Sequence, residues 1–151
     1  MTKSAAVVGA GVFGRLLALS LGRAGWTVTI FDRHGWDDRS ASCFAAAGLL
    51  TPAIESIHDI SRSLFTLGLR SIDLWSDLIP TLKSHVTLGR QGTIHVGFGQ
   101  DSALLHELHD KIVRRLPGAS SKIINAEQIR LFEPALSKSG FHEALYLPTD
   151  G

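Results

Sequence analysis

Cysteine is almost absent from this chain: there is one, Cys43, in 151 residues. A single thiol excludes an internal disulfide and any multi-cysteine zinc site, and it agrees with a reducing cytosol. An excess of either charge is missing too, since fifteen Lys and Arg stand against fourteen Asp and Glu, a formal net charge of +1. Nucleic acid and anionic membrane surfaces are therefore poor candidate partners. No segment offers the roughly 20 uninterrupted apolar residues of a membrane span, because Arg15, Arg23 and the polar stretch Thr51 to Glu55 break the longest candidates. The Met-Thr-Lys start and the apolar Ser4 to Phe13 imitate a signal peptide, but glycines at set spacing and the following Arg15 argue against one. A cytoplasmic protein is expected. Internal repeats, low-complexity tracts, a P-loop and a serine nucleophile elbow are also lacking. What remains is 44% hydrophobic and 19% charged, a globular composition, and the length fits one compact domain comfortably.

Ala5 to Val8 is a short apolar run ending in glycine, and Thr27 to Phe31 is a second, ending at Asp32. Both read as buried strands. Between them Phe13, Leu16, Leu17, Ala18, Leu21 and Ala24 recur at helical spacing, and Gly25 is placed as a left-handed stop. Strand, helix and strand in this order predict a right-handed crossover with the two strands parallel. Farther on, Leu64, Leu67, Ser71/Ile72, Trp75, Leu78/Ile79 and Leu82 form the stripe of a long amphipathic helix over Ile60 to Leu82, weakened at Gly68 and Pro80. Val86 to Leu88 and Thr93 to Phe98 look like strands separated by the turn residues Gly89 to Gly92. A helix capped by Asp101 or Ser102 would carry Leu105, Leu108, Ile112 and Leu116 and end at Pro117-Gly118. Ile123-Ile124 is a brief strand. Asn125 and Gln128 then make a capping box for a short helix that must stop before Pro134.

Gly9, Gly11 and Gly14 spell G-x-G-x-x-G between the first strand and the first helix. Gly9 permits the tight turn, Gly11 lets the backbone approach a pyrophosphate, and Gly14 lets helix and strand pack closely. The helix start then offers free N–H groups and a partial positive charge to that pyrophosphate. Asp32, at the end of the second strand, is placed to accept hydrogen bonds from ribose hydroxyls. It would repel a 2′-phosphate, which disfavours the phosphorylated nicotinamide cofactor. Arg33 either stacks on adenine or points to solvent. This unit alone does not separate a flavin dinucleotide from a nicotinamide one.

The stretch Ser40-Ala-Ser42-Cys-Phe-Ala45-Ala-Ala-Gly48-Leu-Leu50-Thr-Pro52 begins with hydroxyls and continues with small residues. Ser40 and Ser42 can donate to phosphate oxygens, and small side chains let a backbone lie against a planar ligand, although a small-residue helix in a core has the same composition. With Val7 to Gly14, Phe31-Asp-Arg33, Ser42, Ala45 to Leu50, Gly92 to Val96, Ala126 to Ile129, Glu133 to Leu136 and Leu147 to Gly151, it carries a resemblance over nearly the whole chain. The sequence resembles the FAD-dependent D-amino-acid oxidase and dehydrogenase family, most of all its glycine oxidase branch of the thiamine pathway.

The resemblance implies an α/β chain: a Rossmann-like FAD-binding βαβ domain, first part over residues 1–84, and the start of an α+β substrate domain over 85–144. Residues 145–151 would turn back toward the FAD domain. It further implies that Val12 and Phe13 lie over the pyrophosphate and that Asp32 and Arg33 hold the adenosine. Ser42 and Cys43 would contact phosphate, and Ala47, Gly48 and Leu49, with Ala46 beside them, would meet the flavin. Two departures stand out: the family more often has Glu at position 32, and Cys43 replaces a hydroxyl or other residue. A covalent flavin link at Cys43 is not expected. The implied reaction is hydride transfer from an amino acid or secondary amine to flavin N5, giving an imine that water hydrolyses, with oxygen or another acceptor reoxidising the flavin. Glycine, sarcosine and D-amino acids remain open as substrates, catalytic side chains are expected beyond Gly151, and self-association of the full-length protein is left open. An NAD-dependent dehydrogenase and an inactive dinucleotide-binding remnant are the alternatives. Relatives add further strands where this chain stops, so an N-terminal piece with an open sheet edge, weak flavin binding, poor solubility and no turnover is expected. His106-Glu-Leu-His109 lacks the spacing and the third ligand of a metal site, and Trp26, Trp36 and Trp75 lack the basic run of a base-stacking platform.

Overall fold

The computed structural model describes residues 3–59, 63–138 and 140–151. The chain divides into two compact units, Met1–Leu49 and Leu50–Gly151. The first holds β1 (Ser4–Val8), α1 (Val12–Arg23) and β2 (Thr27–Phe31). β1 and β2 pair in parallel from Ser4 opposite Thr27 to Val8 opposite Phe31, so both strands finish at the same edge. α1 ends on Ala24, and Gly25 takes the left-handed conformation expected of it, with φ at 81°. The βαβ reading of the sequence holds residue for residue at β2 and to within one residue at β1.

The second unit contains α2 (Pro52–Glu55), α3 (Ser63–Leu78), β3 (Thr93–Val96), α4 (Ser102–Arg115), β4 (Lys122–Asn125), α5 (Ala126–Phe132) and β5 (Glu143–Leu147). Its sheet is antiparallel in the order β3-β5-β4, with β5 in the centre. Side chains alternate across a strand. Leu145 and Leu147 therefore enter one apolar cluster with Ala53, Ile57, Phe65, Leu105, Ile112 and Leu116, while Ala144 joins Ile124 and Ile129 in another. The predicted stripe of α4 is the one that the core uses, with Leu105 and Ile112 buried and Leu108 packed against them. The capping box at α5 is present as read: Gln128 N–H donates to Asn125 Oδ1 and Asn125 N–H to Gln128 Oε1, both at 3.0 Å.

Three expectations need correction. Val86 to Leu88 forms no strand, and β3 pairs with β5 rather than in a hairpin across Gly89 to Gly92. β3 also stops at Val96, because Phe98 opens the turn that precedes α4, accepting Asp101 N–H at its carbonyl. The long helix is described from Ser63, its expected start at Ile60 lying outside the described residues, and it ends at Leu78 before a 3-10 turn over Ile79–Thr81 that holds Pro80. Its buried face carries Phe65 and Ile72, whereas Leu64 and Leu67 are exposed. The cause is Gly68, whose missing Cβ would stand 2.6 Å from Pro52 Cβ; the helix turns that side to α2. The division of the compact units at 49/50 is one of packing, and it leaves the functional portions read from the sequence, 1–84, 85–144 and 145–151, as expectations.

Candidate functional site

The predicted site begins where β1 runs out. Gly9 has φ at 103°, which L side chains rarely adopt, and its N–H donates to Phe31 O at 2.7 Å, tying the turn to the end of β2. A Cβ on Gly14 would stand 1.9 Å from Gly9 O, so only glycine lets α1 come this close to the turn. Gly11 is the N-cap of α1 and supplies no capping side chain. Its Cβ position faces open space, as does that of Gly9. The N–H groups at the start of α1 are thus left for an anion, which the helix dipole favours. Val12 and Phe13 are exposed.

Asp32 closes the other side of the turn. Its Oδ2 accepts from Ala10 N–H at 2.5 Å and its Oδ1 from His34 N–H at 2.9 Å. The Ala10 bond first, then the His34 bond, hold its carboxyl below the usual aspartate range, so it is anionic at neutral pH. Each oxygen keeps a lone pair for a further donor. A cavity of about 470 Å³ opens beside it, lined by Val8, Gly9, Phe31, Asp32, Arg33, His34, Ser40 and Ala41. Val8 is 88% exposed and Phe31 is its register partner, so the apolar floor is made of the two strand ends.

The loop after β2 is folded by its own acids. Asp38 Oδ1 accepts from Ser40 N–H at 2.8 Å, and Ser40, through its side chain first and its backbone second, holds the Asp38 carboxyl below its ordinary range. His34 Nδ1 lies 3.6 Å from Asp38 Oδ2. Ser42 and Cys43 lie on a 3-10 turn, Ser42–Phe44, and Ala46, Ala47, Gly48 and Leu49 follow it, all exposed, with Gly48 in the left-handed region.

Of the residues predicted from sequence, Gly9, Asp32, Arg33 and Ser40 line the cavity, and Gly11, Val12, Phe13 and Gly14 make the adjoining turn and helix start. Ser42, Cys43, Ala46, Ala47, Gly48 and Leu49 are outside that lining. Val8, Phe31, His34 and Ala41 were not foreseen. The first two were accessible to reasoning, because ligands of parallel sheets gather outside the carboxyl ends of the strands. Among the described residues, no group of three or more His, Cys, Asp or Glu gathers as for a metal, and no helix is long and apolar enough to cross a membrane. His106 and His109 take separate partners, Glu143 at 3.3 Å and Ser121 at 2.8 Å.

An open turn with free N–H groups, an anionic carboxylate and an apolar-floored cavity fit the pyrophosphate, ribose and adenine of a dinucleotide. Comparison with known proteins agrees. A family model described as FAD dependent oxidoreductase matches residues 4–151. A curated relative from Rhizobium etli, named as a presumed thiamine biosynthesis oxidoreductase, ThiO, is 34% identical over 140 residues, which are 93% of this chain and 38% of that protein. The crystal structure of a glycine oxidase from Bacillus cereus matches all of this chain and 41% of its own, at 26% identity and a TM-score of 0.77. One from Geobacillus kaustophilus matches at 26% identity and a TM-score of 0.75, over 97% of this chain and 39% of its own. An L-proline dehydrogenase from P. horikoshii, at 20% identity and a TM-score of 0.56, shares the fold, covering 99% and 37%. This chain therefore spans about two fifths of the length of these relatives. The match of the family model over nearly every residue, together with the turn and carboxylate just described, makes the chain a member of the FAD-dependent oxidoreductase family of D-amino-acid oxidase type.

Proposed function

We propose that the first unit holds the ADP half of FAD, and that the chain is the cofactor-binding portion of an enzyme oxidising an amino acid or secondary amine. Glycine, sarcosine and D-amino acids are the substrate class. The observation that carries this reading is the pairing of an ionised Asp32 with an uncapped helix start across one glycine turn. Gly11, Val12, Phe13 and Gly14 would present backbone N–H groups to the pyrophosphate. Asp32 would accept from the ribose hydroxyls, with Arg33 and Ser40 at the cavity wall beside the adenosine. Ser42 and Cys43 would follow at phosphate, and Ala46, Ala47, Gly48 and Leu49 would lie along the flavin, where exposed small side chains leave room for a ring. When bound, FAD supplies the capacity to accept a hydride from the carbon bearing the amine. The protein's share is placement: it fixes the cofactor's anionic end and excludes a 2′-phosphate at Asp32.

The functional division runs at about residue 84, with a substrate portion over 85–144 and a return to the FAD portion from 145. The protein acts in the cytoplasm. The 151 residues taken alone are expected to bind FAD weakly and without turnover; the Bacillus cereus glycine oxidase that they match is about two and a half times as long. Flavin absorbance retained by the purified protein, or acquired on adding FAD, tests the reading. A colourless protein that binds NAD but never FAD would overturn it. Rapid bleaching of bound flavin by glycine or a D-amino acid would overturn the absence of turnover.

A further inference from the structure

Arg15 sits in the first turn of α1, where a cation opposes the helix dipole and does nothing for helix stability. Its side chain runs back toward the helix start, as long side chains in helices do, and reaches two places. Nε donates to Ala10 O at 2.5 Å, and the guanidinium lies 4.5 Å from the centroid of the Trp36 ring. Ala10 is in the glycine turn. Trp36 is in the loop that supplies Asp32, Arg33, His34, Ser40 and Ala41 to the cavity wall.

The peptide geometry makes the Ala10 contact consequential. A trans peptide points its C=O and N–H in opposite directions. With the carbonyl of Ala10 held to Arg15, the N–H of Gly11 in the same plane must point away from it. With the N–H of Ala10 held to Asp32 Oδ2, the preceding plane is fixed as well. Ala10 is thus clamped from both sides. Were the second plane to flip, the turn would offer a carbonyl oxygen where an anion needs a donor.

We propose that Arg15 is a positioning residue of the dinucleotide site: it fixes the polarity of the glycine turn through Ala10 O and ties that turn to the adenosine-side loop through the face of Trp36. The inference rests on the FAD reading above and adds a residue that the glycine motif does not contain.

The test uses ADP and FAD as probes of the purified protein by calorimetry or fluorescence. Arg15→Leu should weaken both by about tenfold, the scale of one charge-assisted hydrogen bond, and by the same factor for each, since ADP carries every group that the clamp serves. Trp36→Leu, at an exposed ring, should cost about threefold, and Trp36→Phe should recover most of it. The double variant should be no worse than Arg15→Leu alone, because both substitutions remove one linkage. NMR checks the linkage, since the Arg15 Nε–H resonance should be displaced by the indole ring current and lose that displacement in Trp36→Leu; the readout that a merely structural role would not move is the Gly11 amide, whose shift at saturating ADP should be reduced in Arg15→Leu. Additive effects of the two substitutions, an unchanged Arg15 resonance in Trp36→Leu, or wild-type affinity in Arg15→Leu would each overturn the proposal. If Arg15→Leu does not fold, the two Trp36 variants and the resonance decide it. Wild-type protein that binds neither ADP nor FAD overturns the FAD reading and this one with it, whereas binding by the wild type that no variant alters overturns this one alone.

Discussion

The two units are held together by different physics. Unit one has a single buried hydrophobic residue among those described, Val7, and α1 buries none at all, while its strand ends Val8 and Phe31 and the helix residues Phe13 and Leu17 are exposed. Unit two has, among the described residues, two apolar clusters and seven hydrophobic residues at or below 1% exposure, with β5 buried on both faces. What shapes unit one is instead a set of directed hydrogen bonds on one turn: Gly9 to Phe31, Ala10 to Asp32, Arg15 to Ala10, and His34 to Asp32. A cofactor site needs open backbone, and open backbone is incompatible with a tight core over the same residues.

The sharpest way to break the contrast is to remove core from each unit. Leu145 is fully buried between α4 and the strands beside it, so Leu145→Ala should destabilise by about 3–5 kcal/mol, enough to unfold unit two in a urea titration. Val8→Ala, at an exposed strand end, should shift the same titration by less than about 0.5 kcal/mol. Equal effects would mean that the units share one stability.

A second test uses pH. Asp150 is 2% exposed, and its Oδ1 accepts from Ala53 N–H at 3.1 Å, while its Oδ2 is buried with no hydrogen bond of good geometry among the described residues. Burial pushes its carboxyl up to about 6 against the opposing hydrogen bonds from Ala53 and Thr93. A folded-state value above the unfolded one means that the native protein holds a proton which the unfolded chain has released. Stability from this group is therefore full below about pH 4 and is lost as pH rises through about 6, a fall of about 2–3 kcal/mol. Asp150→Asn keeps the acceptor for Ala53 and should flatten that part of the profile in unit two. If urea midpoints of wild type and variant run parallel from pH 4 to pH 7, the carboxyl is not protonated in the native state. In unit one the sign reverses. Asp32 is held low by Ala10 and His34, so the affinity for ADP should hold at neutral pH and fall as acid protonates it.

How much of this was legible depends on whether the signal is local. The glycine turn could be read because each glycine answers to its own backbone, and the Asn125 and Gln128 box because both partners lie within one helical turn. β5 gave no alternation to read, since Ala144, Leu145 and Leu147 are apolar toward both clusters, and so its place at the centre of the sheet and its pairing with β3 were hidden. The face of α3 was misread by one residue for a related reason: Leu64 and Leu67 complete a second apolar stripe, and only the approach of Pro52 to Gly68 chooses between them. In the site, Asp32 was visible from its position after β2, whereas Arg15 and Trp36 were not, because nothing in their spacing says that a side chain from one segment will lie on a ring from another.

The smallest effect sharpens the comparison most finely. Asn125→Ala removes the acceptor that holds Gln128 N–H and leaves only the return bond from the backbone N–H of residue 125, so unit two should lose about 1 kcal/mol. α1 has no such side chain to lose: its N-cap is Gly11, and the free N–H groups there are what the proposed anion uses. A Gly11→Asn substitution should then do two opposite things in unit one. It should add a cap and stabilise the helix start by a few tenths of a kcal/mol, and it should weaken FAD, because a side-chain oxygen now competes for the same N–H groups and stands where the backbone was open. Urea titration and flavin affinity measured on the same sample would separate the two. If Gly11→Asn left FAD affinity unchanged, the start of α1 would not be where the pyrophosphate lies.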